Sequence, residues 1–130
     1  MARPSAVGET ALFWVGSSYR ELKRFPERVK DSIGKALGVA QFGGKHPSAK
    51  PWKGEGPGVL EVVEDYAGNT YRAVYTVHFE KAIYVLHAFQ KKSPKGTRTA
   101  RTDVELVRKR LRVAAEHYAV NFGKQPHKLG

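Results

Sequence analysis

Arg72, His87 and the Lys91-Lys92 pair are the residues of this 130-residue chain whose types and positions best suit chemistry. Cysteine is absent, which removes disulfides, thiolate zinc sites and thiol nucleophiles together. The five histidines (46, 78, 87, 117 and 127) are scattered, with no His-x-x-x-His pair and no accompanying carboxylate cluster, a pattern that argues against metal hydrolysis. The serines fall in caps and loops without a matching His/Asp arrangement. Gly54-Glu55-Gly56-Pro57-Gly58 has the glycine density of a phosphate loop, but it precedes a strand, contains proline and lacks a following Lys-Ser/Thr. Basic side chains remain, and these can cleave RNA without metal or cofactor. The nucleophile is then the substrate's own 2′-hydroxyl; the protein removes its proton, stabilises the phosphorane and protonates the departing 5′-oxygen. Lys and His move protons when neighbouring positive charge lowers their pKa, whereas Arg suits the phosphorane's charge. Acid–base help of this kind is typically worth ~10²–10⁴-fold.

Each of these residues has a plainer alternative. Arg72 lies within a strand on its less apolar face, where it either forms an ion pair with Glu61 or Glu64 of the neighbouring strand or floors a groove and grips a phosphate. His87 interrupts an apolar strand and shares a face with Phe89 and Lys91; it is either a hydrogen-bonded core histidine or a proton-transfer group. Lys91 and Lys92 leave the end of that strand, as solvated surface or as groups projecting over a groove. Lys45, His46, Lys50 and Lys53 on one loop, with Lys95 and Arg98 on another, are the expected RNA contacts. Tyr71, Tyr75 and Tyr84 are core aromatics by parity.

The elements that must position these groups follow from periodicity. Ala11–Val15 is a short apolar run that reads as a first strand. Ser18 with Glu21 fits a capping box opening a helix to about Phe25, and Pro26 suits the first turn of a second. There Val29, Ile33, Leu37 and Ala40 recur at helical spacing until Phe42-Gly43-Gly44. The Pro/Gly-rich segment 45–58 reads as a loop. Val59–Glu64, a Gly68-Asn69 turn signal, Thr70–Phe79 and Ala82–Phe89 read as an antiparallel meander. In its second strand Tyr71, Ala73, Tyr75, Val77 and Phe79 alternate with Arg72, Val74, Thr76 and His78; the third is apolar on both faces, as a central strand is. A basic loop, 90–100, leads to a helix opened by Thr102 and Glu105, with Val104, Val107, Leu111, Ala114 and Tyr118 on one side and Arg108, Lys109, Arg110 and Arg112 elsewhere. The order β-α-α-β-β-β-α makes an α+β fold, one domain over 1–130 with its core at about 11–118 and helices packed on the sheet.

The net charge is +11, and it is unevenly spread. Residues 1–88 hold 12 Lys/Arg against 9 Asp/Glu, a balance of +3; residues 89–130 hold 11 against 3, a balance of +8. Such clustering suits a polyanion, because neutralising phosphates releases condensed counterions. An anionic membrane surface or an acidic protein partner fits the same charge. No apolar run approaches the ~20 residues that span a bilayer, and the first residues lack a secretory apolar stretch, so a cytoplasmic protein is expected.

The segments Asn69-Thr70-Tyr71-Arg72-Ala73-Val74-Tyr75 and Tyr84-Val85-Leu86-His87-Ala88-Phe89-Gln90-Lys91-Lys92-Ser93 resemble the RelE/ParE toxin superfamily. The Tyr-Arg strand and the His-x-Phe-x-Lys-Lys-Ser turn are similar to its phage-derived HigB-like branch, and Glu21-Leu22 and the stretch from Lys50-Pro51 to Gly58 also fit. The resemblance implies a RelE-like fold and a type II toxin: a ribosome-dependent mRNA endonuclease held inactive by a cognate antitoxin, often a helix-turn-helix protein encoded beside it. It implies phosphate contact for Arg72, and it matches Lys91-Lys92 to the basic pair ending the last strand, with Lys92 where Arg is common. The chain departs from the family in two places. Its second strand, Leu60-Glu61-Val62-Val63-Glu64, lacks the basic residues of many relatives, and no tyrosine stands near Arg98–Asp103. Lys45, His46, Lys50, Lys53 or His87 would have to cover those roles. The alternative on the same fold is a non-catalytic binder, either a ParE-like gyrase inhibitor or a degenerate toxin acting only through its antitoxin.

Overall fold

The computed structural model describes residues 8–91 and 99–123 of the chain. The element order is β1 (Ala11–Trp14), α1 (Ser18–Lys23), α2 (Glu27–Gln41), β2 (Ala49–Pro51), β3 (Val59–Tyr66), β4 (Asn69–Thr76), β5 (Ala82–Lys91) and α3 (Arg101–Phe122). The strands form one mixed sheet in the order β1-β5-β4-β3-β2, with β1 parallel to β5 and the remaining pairs antiparallel. The α+β class and the antiparallel meander are as expected. The segment 45–58 is not wholly loop: its Ala49–Pro51 pairs with Leu60–Val62 as a short edge strand. Pro51 is tolerated there because an edge strand leaves one side of its backbone unpaired.

Local details differ from the sequence reading at the two helix starts and at the hairpin turn. Neither capping box forms. Ser18 Oγ is buried and donates to the Val85 carbonyl at 3.1 Å, while Ser17, the residue before α1, donates to the Glu21 carboxylate at 2.9 Å. Ala100 precedes α3, so Thr102 already lies inside the first turn, and Glu105 bonds Arg101 instead. The hairpin turn is Ala67-Gly68, with Asn69 paired to Tyr66. Both turn residues have positive φ, 52° and 82°, which matches the right-handed twist of the flanking strands.

The sheet is buried on both faces. Val29, Ile33, Ala36 and Leu37 of α2 cover Val62, Ala73, Tyr75, Ile83 and Val85 on one side. Val107, Ala114 and Tyr118 of α3 cover Val74, Ala82, Tyr84 and Leu86 on the other. Phe79, expected beside Tyr71 and Tyr75, packs instead in the α3 layer, because β4 ends at Thr76 and its alternation ends there too. A bulge in β5 completes the layout: Tyr75 pairs with Val85 and Val74 with His87, so Leu86 is skipped. One extra residue reverses parity. Before the bulge the even positions 82, 84 and 86 face α3; beyond it Phe89 joins that layer, and Ala88 joins the α2 layer.

Candidate active site

The bulge brings the chemistry-bearing residues onto one face. Directly opposed residues in neighbouring strands share a face, and the register aligns Lys50, Glu61, Val74 and His87 in one row across β2, β3, β4 and β5. The next row is Val63, Arg72 and Phe89, and beyond it Thr70 faces Lys91. Over these rows lies an open cleft of about 610 Å³ lined by Lys50, Lys53, Arg72 and Lys91 around Glu61, its one carboxylate among the described residues. Thr99 and Val104, at the start of α3, line it as well, as does Trp52, whose ring meets Phe89 edge to face at 6.4 Å.

Arg72 Nη1 donates to Glu61 Oε1 at 2.6 Å, with side-chain exposures of only 10% and 9%. Of the two partners that sequence allows for Arg72, Glu61 is therefore the one it meets. A charge-assisted pair offsets burial that neither ion would tolerate alone. Arg72 Nε and the Trp52 indole nitrogen are buried donors with no hydrogen-bond partner among the described residues. Lys91, partly exposed at the strand end, has its pKa lowered by partial desolvation and by the charges of Arg72 and Lys50, against the opposing pull of Glu61. A lysine so placed gives up its proton more readily than a free one.

Of the expected RNA contacts, Lys50 and Lys53 line the cleft. Lys45 and His46 precede β2 and do not line it; Lys45 is exposed, and His46 Nδ1 accepts the Ser48 backbone N–H at 3.1 Å. Lys92, Lys95 and Arg98 lie outside the described residues.

His87 is engaged differently from the proton-transfer alternative. It is 6% exposed, with Nδ1 2.8 Å from Glu21 Oε1 of α1 and Nε2 2.7 Å from Asp103 Oδ1 of α3. Both ring nitrogens are thus engaged by carboxylates within the fold, and neither faces the cleft lysines. Glu21 Oε1 also accepts the Ala88 backbone N–H at 3.1 Å and Arg110 Nη1 at 3.0 Å. Arg110 in turn donates to the carbonyl of Leu86, the residue skipped by the bulge, at 2.9 Å, and to Ser17 Oγ at 2.8 Å. Burial raises the Glu21 pKa, but the donors from His87, Arg110 and Ala88 outweigh it and hold the carboxyl well below the usual range. Arg110, grouped by the sequence with Arg108, Lys109 and Arg112 away from the apolar side, is buried here; its spacing from 107, 114 and 118 is the helical signal for it.

Residues 20–112 match the family model described as "Phage derived protein Gp49-like (DUF891)". The chain belongs to this Gp49-like family. The matched stretch runs from α1 into α3 and includes every described residue of the cleft, with Glu21, His87, Asp103 and Arg110; Ser17 lies just ahead of it. Membership agrees with the phage-derived branch that the Tyr-Arg strand and the His-x-Phe-x-Lys-Lys-Ser turn resemble. Among solved structures, the chain is similar to one from the toxin–antitoxin complex RelBE2 of Mycobacterium tuberculosis, at 18% identity and a TM-score of 0.41, over 69% of this chain and all of that one. No curated protein matches the Gp49-like chain. Among the described residues, no helix is long and apolar enough to cross a membrane.

Proposed function

We propose that this Gp49-like chain is the toxin of a type II toxin–antitoxin pair and cleaves mRNA on the ribosome without metal or other cofactor. The observation that supports this best is the cleft in which Glu61 and Arg72 are paired beneath Lys50, Lys53 and Lys91. RNA phosphates meet the lysines and the unpaired edge of the Arg72 guanidinium. The Glu61 carboxylate takes the proton of the 2′-hydroxyl, whose oxygen attacks the adjacent phosphorus. The bond to the 5′-oxygen breaks as Lys91 supplies its proton, leaving a 2′,3′-cyclic phosphate and a free 5′-hydroxyl. Lys92, Lys95 and Arg98, which follow β5 in sequence, and Lys45 and His46, which precede β2, extend the phosphate-contacting set. The partner is a cognate antitoxin of the helix-turn-helix kind, and the place of action is the cytoplasm, with the ribosomes.

One observation favours a second, non-catalytic reading: the 2.6 Å bond to Glu61 already occupies Arg72, as it would in a purely structural ion pair. A ParE-like gyrase inhibitor or a degenerate toxin would then act by binding. Mapping mRNA 5′ ends in a translating extract separates the two. The nuclease gives codon-phased cuts, and Arg72→Ala lowers the cleavage rate roughly 10²–10³-fold, as loss of a charge-stabilising donor does. Glu61→Gln, which keeps shape but not charge, lowers it comparably. Intact mRNA together with altered DNA supercoiling would sink the nuclease.

A further inference from the structure

Taking the cleft as the RNA site proposed above, we infer that His87 is a positioning residue: it clamps the first turn of α3 to β5 and so fixes one wall of that site. Its ring sits between Glu21 at 2.8 Å and Asp103 at 2.7 Å and stacks on Phe89 at 4.8 Å. The groups facing it come from each element packed around it: Glu21 from α1, Asp103 with nearby Arg110 from α3, Val74 opposite on β4, and the Ala88 N–H of its own strand. Both ring nitrogens are held by carboxylates, and the Arg110 guanidinium adds a positive charge on the Glu21 side, which helps make burial of the set tolerable.

Asp103 is the link to the cleft. An acidic residue in a helix's first turn needs no side-chain partner, since the helix dipole already favours it. Here its carboxylate instead reaches back to β5. Val104, the next residue, lines the cleft, as does Thr99 just ahead of α3. On the strand side, Phe89 and Lys91 follow His87 along the same face. The clamp therefore sets the distance between the α3 wall and the strands bearing Arg72 and Lys91, and moves no proton to the substrate.

Steady-state kinetics on ribosome-bound mRNA read this directly. His87→Gln and Asp103→Leu each raise KM about tenfold while kcat stays within about threefold, and the double variant is no worse than the poorer single, because both remove one contact. Asp103→Asn keeps an acceptor oxygen toward Nε2 and recovers most of KM. A kcat loss of about 10² or more at unchanged KM in His87→Gln makes the residue a proton carrier and overturns the inference, as does a wild-type KM in Asp103→Leu. If the wild-type chain cleaves nothing, the nuclease reading fails alone, and amide exchange decides the clamp. His87→Gln then loses protection at Val104–Val107 but keeps it at Ala114–Tyr118; equal protection in both proteins overturns it.

Discussion

A methyl group on Gly16 would stand 3.1 Å from Nε of Arg110, closer than the guanidinium can accept without moving, and Gly16 has a φ of +56°. Gly43 has a positive φ too, +85°, with nothing within 4 Å of the same methyl. Gly43→Ala should therefore lose only the backbone term, about 1 kcal/mol, whereas Gly16→Ala loses that and disturbs a guanidinium bonded to Ser17, Glu21 and Leu86, for about 2 kcal/mol or more in all. Urea unfolding of the two variants measures the difference, and equal midpoints would mean that Arg110 shifts freely. At this scale the sequence was legible where chemistry is local. Arg72 and Lys91 announce themselves by type and strand parity. Glu61 is legible only as a possible partner of Arg72, and nothing local marks Trp52 or Asp103, because their importance lies in neighbours distant in sequence.

Glu21 ties three elements together, and its ionisation gives them a common pH dependence. Its pKa in the fold is held below the ordinary glutamate value of 4.5, so its contribution is fully present above about that pH and is lost as pH falls through the lower folded value. The urea midpoint of the wild-type chain should therefore drop below about pH 4.5 more steeply than that of Glu21→Gln, which cannot titrate there. Parallel curves would remove Glu21 from the acid sensitivity. Helical spacing revealed α2, and strict alternation revealed β4, because each buries one regular stripe. The bulge at Leu86 leaves no mark in the sequence because an apolar run on a doubly covered strand looks the same in either parity. β2 is hidden because Pro51 and the glycines around it signal a loop, while its pairing is supplied by β3. In the first capping box Ser18 and Glu21 have partners on β5; in the second Thr102 lies inside α3 and Glu105 pairs with Arg101 one turn away.

For the whole molecule, the cleft gathers Lys50, Lys53 and Lys91 around Arg72, and of these only Lys91 comes from the basic stretch 89–130. Binding of a single-stranded oligoribonucleotide should weaken linearly in log–log salt titrations, and Lys50→Ala or Lys91→Ala should each flatten the slope by about 0.7. Lys45→Ala, outside the cleft, is expected to change it less, and an equal change would spread the footprint beyond the cleft. The long-range ties that complete the fold also bear on how it is made. Glu21 meets His87 across 66 residues, Ser17 meets Arg110 across 93, and β1 closes the sheet only against β5. Contacts so distant form late, after most of the loop-closure entropy has been overcome. During synthesis, β1 and α1 emerge long before the strand and helix that hold them. An unfinished chain thus has the meander's cations without the clamp that sets the cleft. Competence is reached only once α3 has left the translating ribosome, the very machine on which the finished protein is proposed to act.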